Sequence, residues 1–195
     1  MDKRRSWLKR ILLPAITITI VIAITIGLQL VYGRHPERLL ELQNYVYLGA
    51  FLISLIGNAT VILPGAVLVI LTNIGIVLCP VTGAFGPVLV GVAGGAGAAI
   101  GEMTGYMVGY SGRGVVEKSR LYLRLVGWME RWGILTVFIF SVVPFFFDLV
   151  GIIAGALRFP VWKFALFCWL GRSLMYVGVI VASALGYQNI LPYFS

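Results

Sequence analysis

The sequence predicts an all-α integral membrane protein with an inverted repeat. Each repeat is a re-entrant helical hairpin followed by a transmembrane helix, and an extra N-terminal transmembrane helix precedes them. Three observations lead there. The chain has 195 residues, of which 60% are hydrophobic and 11% charged, against about 25% charged in soluble domains; its mean hydropathy is +0.99. Two long apolar stretches are each interrupted by Pro, Gly and a polar residue. Basic residues gather at the ends of apolar stretches, in a pattern that obeys the positive-inside rule if both interrupted stretches return to the side they entered from.

The elements follow in order. Residues 1–10 carry Lys3, Arg4, Arg5, Lys9 and Arg10, and Ile11 to Tyr32 is uncharged. That run is too long for the core of a signal peptide and lacks a small-residue cleavage site. It is long enough to span about 30 Å of hydrocarbon, so it reads as an uncleaved helix with a cytoplasmic N-terminus. Gly33 to Asn44 is polar and reads as a short outside loop, which makes residues 1–42 the first unit.

Tyr45 to Pro80 is apolar but broken by Gly57-Asn58 and Pro64-Gly65, then by Thr72-Asn73 and Gly75. Asn58, Pro64 and Gly65 mark a hairpin over about 45–72. Each arm would be about 21 Å of helix, enough to enter a bilayer and too short to cross it. Phe85 to Tyr110 is a glycine-rich span. Gly97, Gly101, Gly105 and Gly109 recur every four residues and form one stripe, which lets helix backbones approach closely in lipid. Glu102 lies beside that stripe. Ser111 to Arg131 is basic and amphipathic and reads as a cytoplasmic surface helix.

Gly133 to Leu157 contains Phe140-Ser-Val-Val-Pro-Phe-Phe-Phe-Asp-Leu-Val-Gly151. Pro144 removes a backbone donor and disfavours helix before it, and Asp148 is costly at membrane depth unless it faces protein or water. Non-helical backbone survives there only when buried in protein or beside a wet cavity. Residues 133–157 therefore read as the second hairpin, with Pro144 and Gly151 as its breaks and Asp148 near its tip. Val161 to Tyr187 is the last span, with Arg172 about 15 Å from its cytoplasmic end. Residues 43–187 form the main domain and 188–195 a short tail. Twelve of the fifteen basic residues, all but Arg34, Arg38 and Arg172, then lie inside.

Glu102, Asp148 and Arg172 are the charges this reading places deep in the membrane, where ionisable groups are functional candidates. An arginine near the midplane needs an anion: Glu102, Asp148 or a lipid phosphate. The two spans share Gly-charge-x-x-x-Tyr, as Gly101-Glu102 with Tyr106 and Gly171-Arg172 with Tyr176. Inverted repeats place transporter sites between broken helices at the midplane. Asn58 and Arg158 complete the candidate set, Arg158 as a phosphate contact or an interface anchor. Tyr106, Tyr176 and phenylalanines 145–147 read as packing.

One histidine, His35, in a polar loop and no paired carboxylates within a motif argue against an enzyme. Cys79 and Cys168 form neither a disulfide framework nor a metal pattern, so no cofactor or metal is expected. The net charge of +8 sits at membrane ends, which points to lipid headgroups and away from nucleic acid.

These residues resemble the DedA / VTT-domain (SNARE-associated Golgi protein) superfamily. The resemblance covers roughly residues 50–187. Its matching parts are Asn58 to Gly65, Gly101-Glu102-x-x-Gly105-Tyr106-x-x-Gly109, Pro144 with Phe147-Asp148-Leu149-x-Gly151-Ile152-x-x-Gly155, and Phe164 with Leu170-Gly171-Arg172. The Phe-Asp-Leu-x-Gly-Ile-x-x-Gly string looks most like the branch containing vacuole membrane protein and its prokaryotic relatives. The resemblance implies two facing re-entrant hairpins and transport of phospholipid or polyprenyl-phosphate lipid between leaflets, with proton dependence in some members. Typical bacterial members carry arginines where this chain has Ser141 and Phe147, and many carry a carboxylate where it has Ala66, so roles of those residues do not carry over.

The expected function is thus a flippase or scramblase in a prokaryotic plasma (inner) membrane, with membrane lipids as partners. Protons and a second copy of the chain are further partners left open. The alternatives are an ion- or proton-coupled small-solute transporter and a non-transporting membrane assembly protein.

Overall fold

The structure, a computed structural model, describes residues 43–59, 64–111, 120–143 and 147–190, and Thr19 and Gly27 as helical. The expected N-terminal helix otherwise lies outside the described residues, as do Pro144, residues 112–119 of the surface segment, and residues 191–195. Everything regular that is described is helical. The elements are α1 (Gln43–Ala59), α2 (Pro64–Thr82), α3 (Phe85–Gly101), α4 (Met103–Tyr110), α5 (Arg120–Val142), α6 (Phe147–Ala156) and α7 (Val161–Ile190). Among the described residues, four stretches are long and apolar enough to cross a membrane: Gly65–Thr82, Phe85–Tyr110, Leu123–Val142 and Val161–Tyr187.

α1 is apolar on the outside and small or polar on the inside. Tyr45, Leu48, Leu52 and Ile56 are exposed, while Ala50, Ser54 and Asn58, spaced by four, are buried. That inversion of the soluble pattern suits a helix with lipid on one side and protein on the other.

α2 corrects two expectations. Pro64 opens the helix, where its missing N–H has no intrahelical acceptor to lose, and the helix runs to Thr82 instead of ending near residue 72. Thr72-Asn73 and Gly75 do not interrupt it. The Asn73 amide donates back to the Val69 carbonyl at 2.9 Å, and Gly75 makes room for Ile180 of α7. α2 ends where the Thr82 hydroxyl donates to the Leu78 carbonyl at 2.9 Å and Gly83 takes φ +62°.

α3 and α4 are nearly one rod. At Glu102 the backbone stays right-handed, its N–H bonds to the Ala98 carbonyl at 2.8 Å, and its carbonyl accepts from Tyr106 at 3.3 Å. α5 is kinked at Gly133, with φ +22° and ψ −84°. The Thr136 hydroxyl donates across the kink to the Trp128 carbonyl at 3.0 Å.

α6 has ten residues, about 15 Å of helix. Gly151 lies inside it and breaks nothing, contrary to the sequence reading. A Cβ there would stand 3.6 Å from the Tyr106 nitrogen and 3.8 Å from the Glu102 carbonyl oxygen, so the glycine faces α4. α6 ends in a Schellman turn: the Arg158 N–H bonds to the Gly155 carbonyl and the Phe159 N–H to the Ala154 carbonyl, at 3.0 and 2.9 Å. Arg158 takes φ +51°, a place usually held by glycine.

Glycines set the close crossings, and the expected single stripe divides between two partners. A Cβ at Gly101 would lie 2.6 Å from the Leu55 carbonyl oxygen of α1, and Gly97 abuts the same helix at Phe51. Gly109 instead abuts Ile152 of α6, and Gly155 of α6 abuts Tyr106 and Tyr110. Gly105 is not a tight crossing, since its Cβ would find only the Asp148 carbonyl oxygen, at 3.7 Å. On another face of α3, Gly91 and Gly95 meet α7 at Val177 and Ser173; Gly171 of α7 meets α5 at Ser141 and Phe138.

Two apolar clusters result. One joins α1, α2, α3 and the C-terminal half of α7 around Leu71, Leu78, Val90 and Ile180. The other joins α4, α5, α6 and the N-terminal half of α7 around Leu125, Val137, Ile153 and Phe164. One end of the bundle carries cation–aromatic pairs: Arg131 over Trp132 at 5.8 Å, Arg158 over Tyr110 at 5.7 Å and Lys163 over Trp162 at 5.4 Å. Phe159 packs on Gly133, which ties the kink of α5 to the α6–α7 turn at that end.

Candidate functional site

Between the two apolar clusters sits a polar one. Arg172, on α7 between Cys168 and Tyr176, is 2% exposed, and Glu102, at the α3–α4 joint, is 3% exposed. Arg172 Nη2 donates to Glu102 Oε1 in a buried ion pair. Arg172 Nη1 also stands 4.0 Å from the Met175 sulfur. Burying an ion pair has a desolvation cost that its own attraction barely offsets, so packing alone is a weak reason to keep one here.

Asp148, in the first turn of α6, places its carboxyl beside Glu102, close enough for a charge interaction and a hydrogen bond between the two groups. It is half-buried, the most open of the three. The three charges singled out in the sequence therefore meet, from α3–α4, α6 and α7.

Asn58 reaches the same region from α1 and is 4% exposed. Its amide nitrogen donates to the Ser54 carbonyl at 2.7 Å and lies 3.2 Å from both the Ser54 and the Tyr176 hydroxyl oxygens. Asn58 Oδ1 is buried without a hydrogen-bond partner among the described residues. The Tyr176 hydroxyl interacts in turn with Arg172.

Arg158 does not join. It lies beyond the far end of α6 from Asp148, with its guanidinium over Tyr110. That position fits the interface anchor among the two readings of this residue. Pro64 and Gly65 open α2 beyond the Asn58 end of α1.

Three residues of the cluster carried no sequence signal strong enough to select them. Ser54 is four residues before Asn58, and Tyr176 is four after Arg172, so each shares its neighbour's helix face. Ser141 of α5 is buried, donates to the Val137 carbonyl at 2.6 Å and bonds with the Cys168 thiol of α7. Tyr106 is a packing residue with a structural bond: its hydroxyl donates to the Phe159 carbonyl at 2.6 Å, and its ring lies 5.2 Å from that of Phe164.

Chemically, the cluster offers a guanidinium with several donors, two adjoining carboxyls, a tyrosine hydroxyl and an amide. Among the described residues no group of three or more His, Cys, Asp or Glu could hold a metal ion.

One family model matches, that of the VTT domain, over residues 63–185. No curated protein and no solved structure matches the chain. The matched residues run from the start of α2 almost to the end of α7 and include Glu102, Asp148 and Arg172.

Proposed function

The chain belongs to the VTT domain family, and from that premise we propose that it moves a phosphate-bearing lipid between membrane leaflets, as a flippase or scramblase. The observation that carries the reading is the buried meeting of Arg172, Glu102 and Asp148 in an otherwise apolar bundle. At rest Arg172 is held by Glu102. During transport it gives donors to a lipid phosphate, while Asp148 beside Glu102 compensates the charge that moves. The lipid is a phospholipid or a polyprenyl phosphate, and protons are a second candidate species because two carboxyls adjoin there.

The reading includes two re-entrant hairpins, α1–α2 and the part of α5 after Gly133 with α6. The first arms α1 and α5 lie on the spans of their own halves, α3 and α7; of the second arms, α2 lies against both α3 and α7, and α6 lies on α4 of the opposite half. The contacts of both second arms with a span of the other half, and the packing of α3 on α7, support an inverted repeat in which Glu102 and Arg172 correspond. The arginine and lysine pairs at one end support a cytoplasmic face there, with the N-terminus on the same side in a prokaryotic plasma membrane. The Phe147-to-Gly155 string supports the vacuole-membrane-protein-like branch. The reading is of a transporter and not an enzyme, alone or as a homo-oligomer.

The test is lipid movement by purified protein in vesicles, across headgroups, with and without a pH gradient. Headgroup-dependent flipping that Arg172→Gln abolishes is expected. A folded protein that flips no phosphate-bearing lipid would overturn the proposal.

A further inference from the structure

Away from the polar cluster, an apolar groove of about 190 Å³ runs along α5 between Trp128, Trp132, Leu135, Thr136, Ile139 and Phe140. The kink at Gly133 lies in its middle. The one polar side chain of its lining, Thr136, is turned to the Trp128 carbonyl, to which its hydroxyl donates at 3.0 Å. The Trp128 and Phe140 rings, 5.9 Å apart, bracket the bend.

The groove straddles a boundary. On its one side is the end of the bundle marked by the cation–aromatic pairs, with Arg131 over Trp132. On its other side, Leu135 and Ile139 are exposed and belong to a stretch apolar enough to lie in a membrane. Helical spacing puts Arg124 and Arg131 on the face of Trp128, four residues before it and three after, and Glu130 on the opposite face. The groove thus has a positively charged mouth and an apolar floor.

We propose that it holds one acyl chain of an anionic phospholipid, with the phosphate at Arg124 and Arg131 and the chain over Leu135 and Ile139. Tryptophan suits that depth, with an apolar body and one N–H donor. Two cations at the mouth favour an anionic over a zwitterionic headgroup. This is a resident-lipid site on the bundle's outer face, and it stands or falls independently of transport.

The test uses the full chain with Trp7, Trp162 and Trp169 replaced by Phe, leaving Trp128 and Trp132 as fluorophores. It is placed in phosphatidylcholine vesicles with a small fraction of either phosphatidylglycerol or phosphatidylcholine brominated on its acyl chains. The expected result is preferential quenching by the brominated phosphatidylglycerol, corresponding to an enrichment of up to about thirtyfold for two cations. Arg124→Gln with Arg131→Gln should remove the preference. Leu135→Phe with Ile139→Phe, which fills the floor and keeps both cations, should lower quenching by the anionic lipid towards that of the zwitterionic one. Equal quenching by the two lipids overturns the proposal. So does a preference that survives the filled floor, which would mean attraction to the basic surface alone. Protection from both lipids, with cross-linking between copies at Trp132→Cys, would assign the groove to a second copy of the chain and also overturns it.

Discussion

Arg172 and Glu102 are buried together, and neither has water to fall back on. Removing one member leaves the other charged and uncompensated, typically at about 3–5 kcal/mol. Glu102→Gln and Arg172→Gln should each lower the thermal and denaturant stability of the protein in detergent. The double variant should lose less than the two added together, because groups in contact do not act independently. Additive losses would mean that the pair contributes nothing as a pair. Asp148 is different, because it is half-buried. Asp148→Ala should leave the protein folded in the membrane and abolish lipid flipping. Asp148→Asn separates two roles: activity is kept if a hydrogen bond suffices, and lost if charge or proton exchange is required. Full activity in the alanine variant would take Asp148 out of the mechanism.

At the scale of the element, glycines of one apparent stripe make opposite predictions. A Cβ at Gly109 would stand 2.7 Å from the Ile152 carbonyl carbon and 2.9 Å from its Cα. Both are backbone atoms, so α4 and α6 must separate. Gly109→Ala should therefore cost about 1–3 kcal/mol, the usual range for overpacking. Gly105→Ala meets nothing closer than 3.7 Å and removes a helix-interior glycine, worth up to about 1 kcal/mol. It should be neutral or stabilising. Melting temperatures of the two variants side by side decide the matter; a loss at Gly105 as large as that at Gly109 would contradict the division of the stripe. The kink in α5 follows the same logic of local satisfaction. Gly133 supplies a backbone conformation that a side chain would strain, Phe159 fills the space beside it, and the Thr136 hydroxyl bonds across the bend to the Trp128 carbonyl.

Across the whole molecule, the proposed orientation places the ends of α5 and α7 that carry Arg124, Arg131 and Lys163 on the cytoplasmic side. The α2–α3 turn at Gly83-Ala84 lies opposite. On a background lacking Cys79 and Cys168, a cysteine at Arg124 should react only from the cytoplasm and one at Ala84 only from outside. Reaction of position 124 from outside would reject the hairpin topology, since the basic segment would then have crossed.

By itself the sequence determined the class of the protein, its helical composition, and the three charges that meet inside the bundle. These are legible because they rest on composition, on a period of 3.6 residues and on the cost of a charge in hydrocarbon, all local quantities. Partners were not local. The sequence allowed Arg172 to meet Glu102, Asp148 or a lipid phosphate, and only the crossing of α3 with α7 selected Glu102 and put Asp148 beside it. Glycine gave one signal for two physical roles: Gly151 read as a break and is a packing surface, and the stripe from Gly97 to Gly109 read as one contact and serves two helices. Thr72, Asn73 and Gly75 resembled an interruption, yet α2 continues through them, because a back-bonded amide and a neighbouring isoleucine remove the reason to stop. Whether a small or polar residue ends a helix or seats a neighbour depends on what lies against it, and that is fixed only when the helices pack.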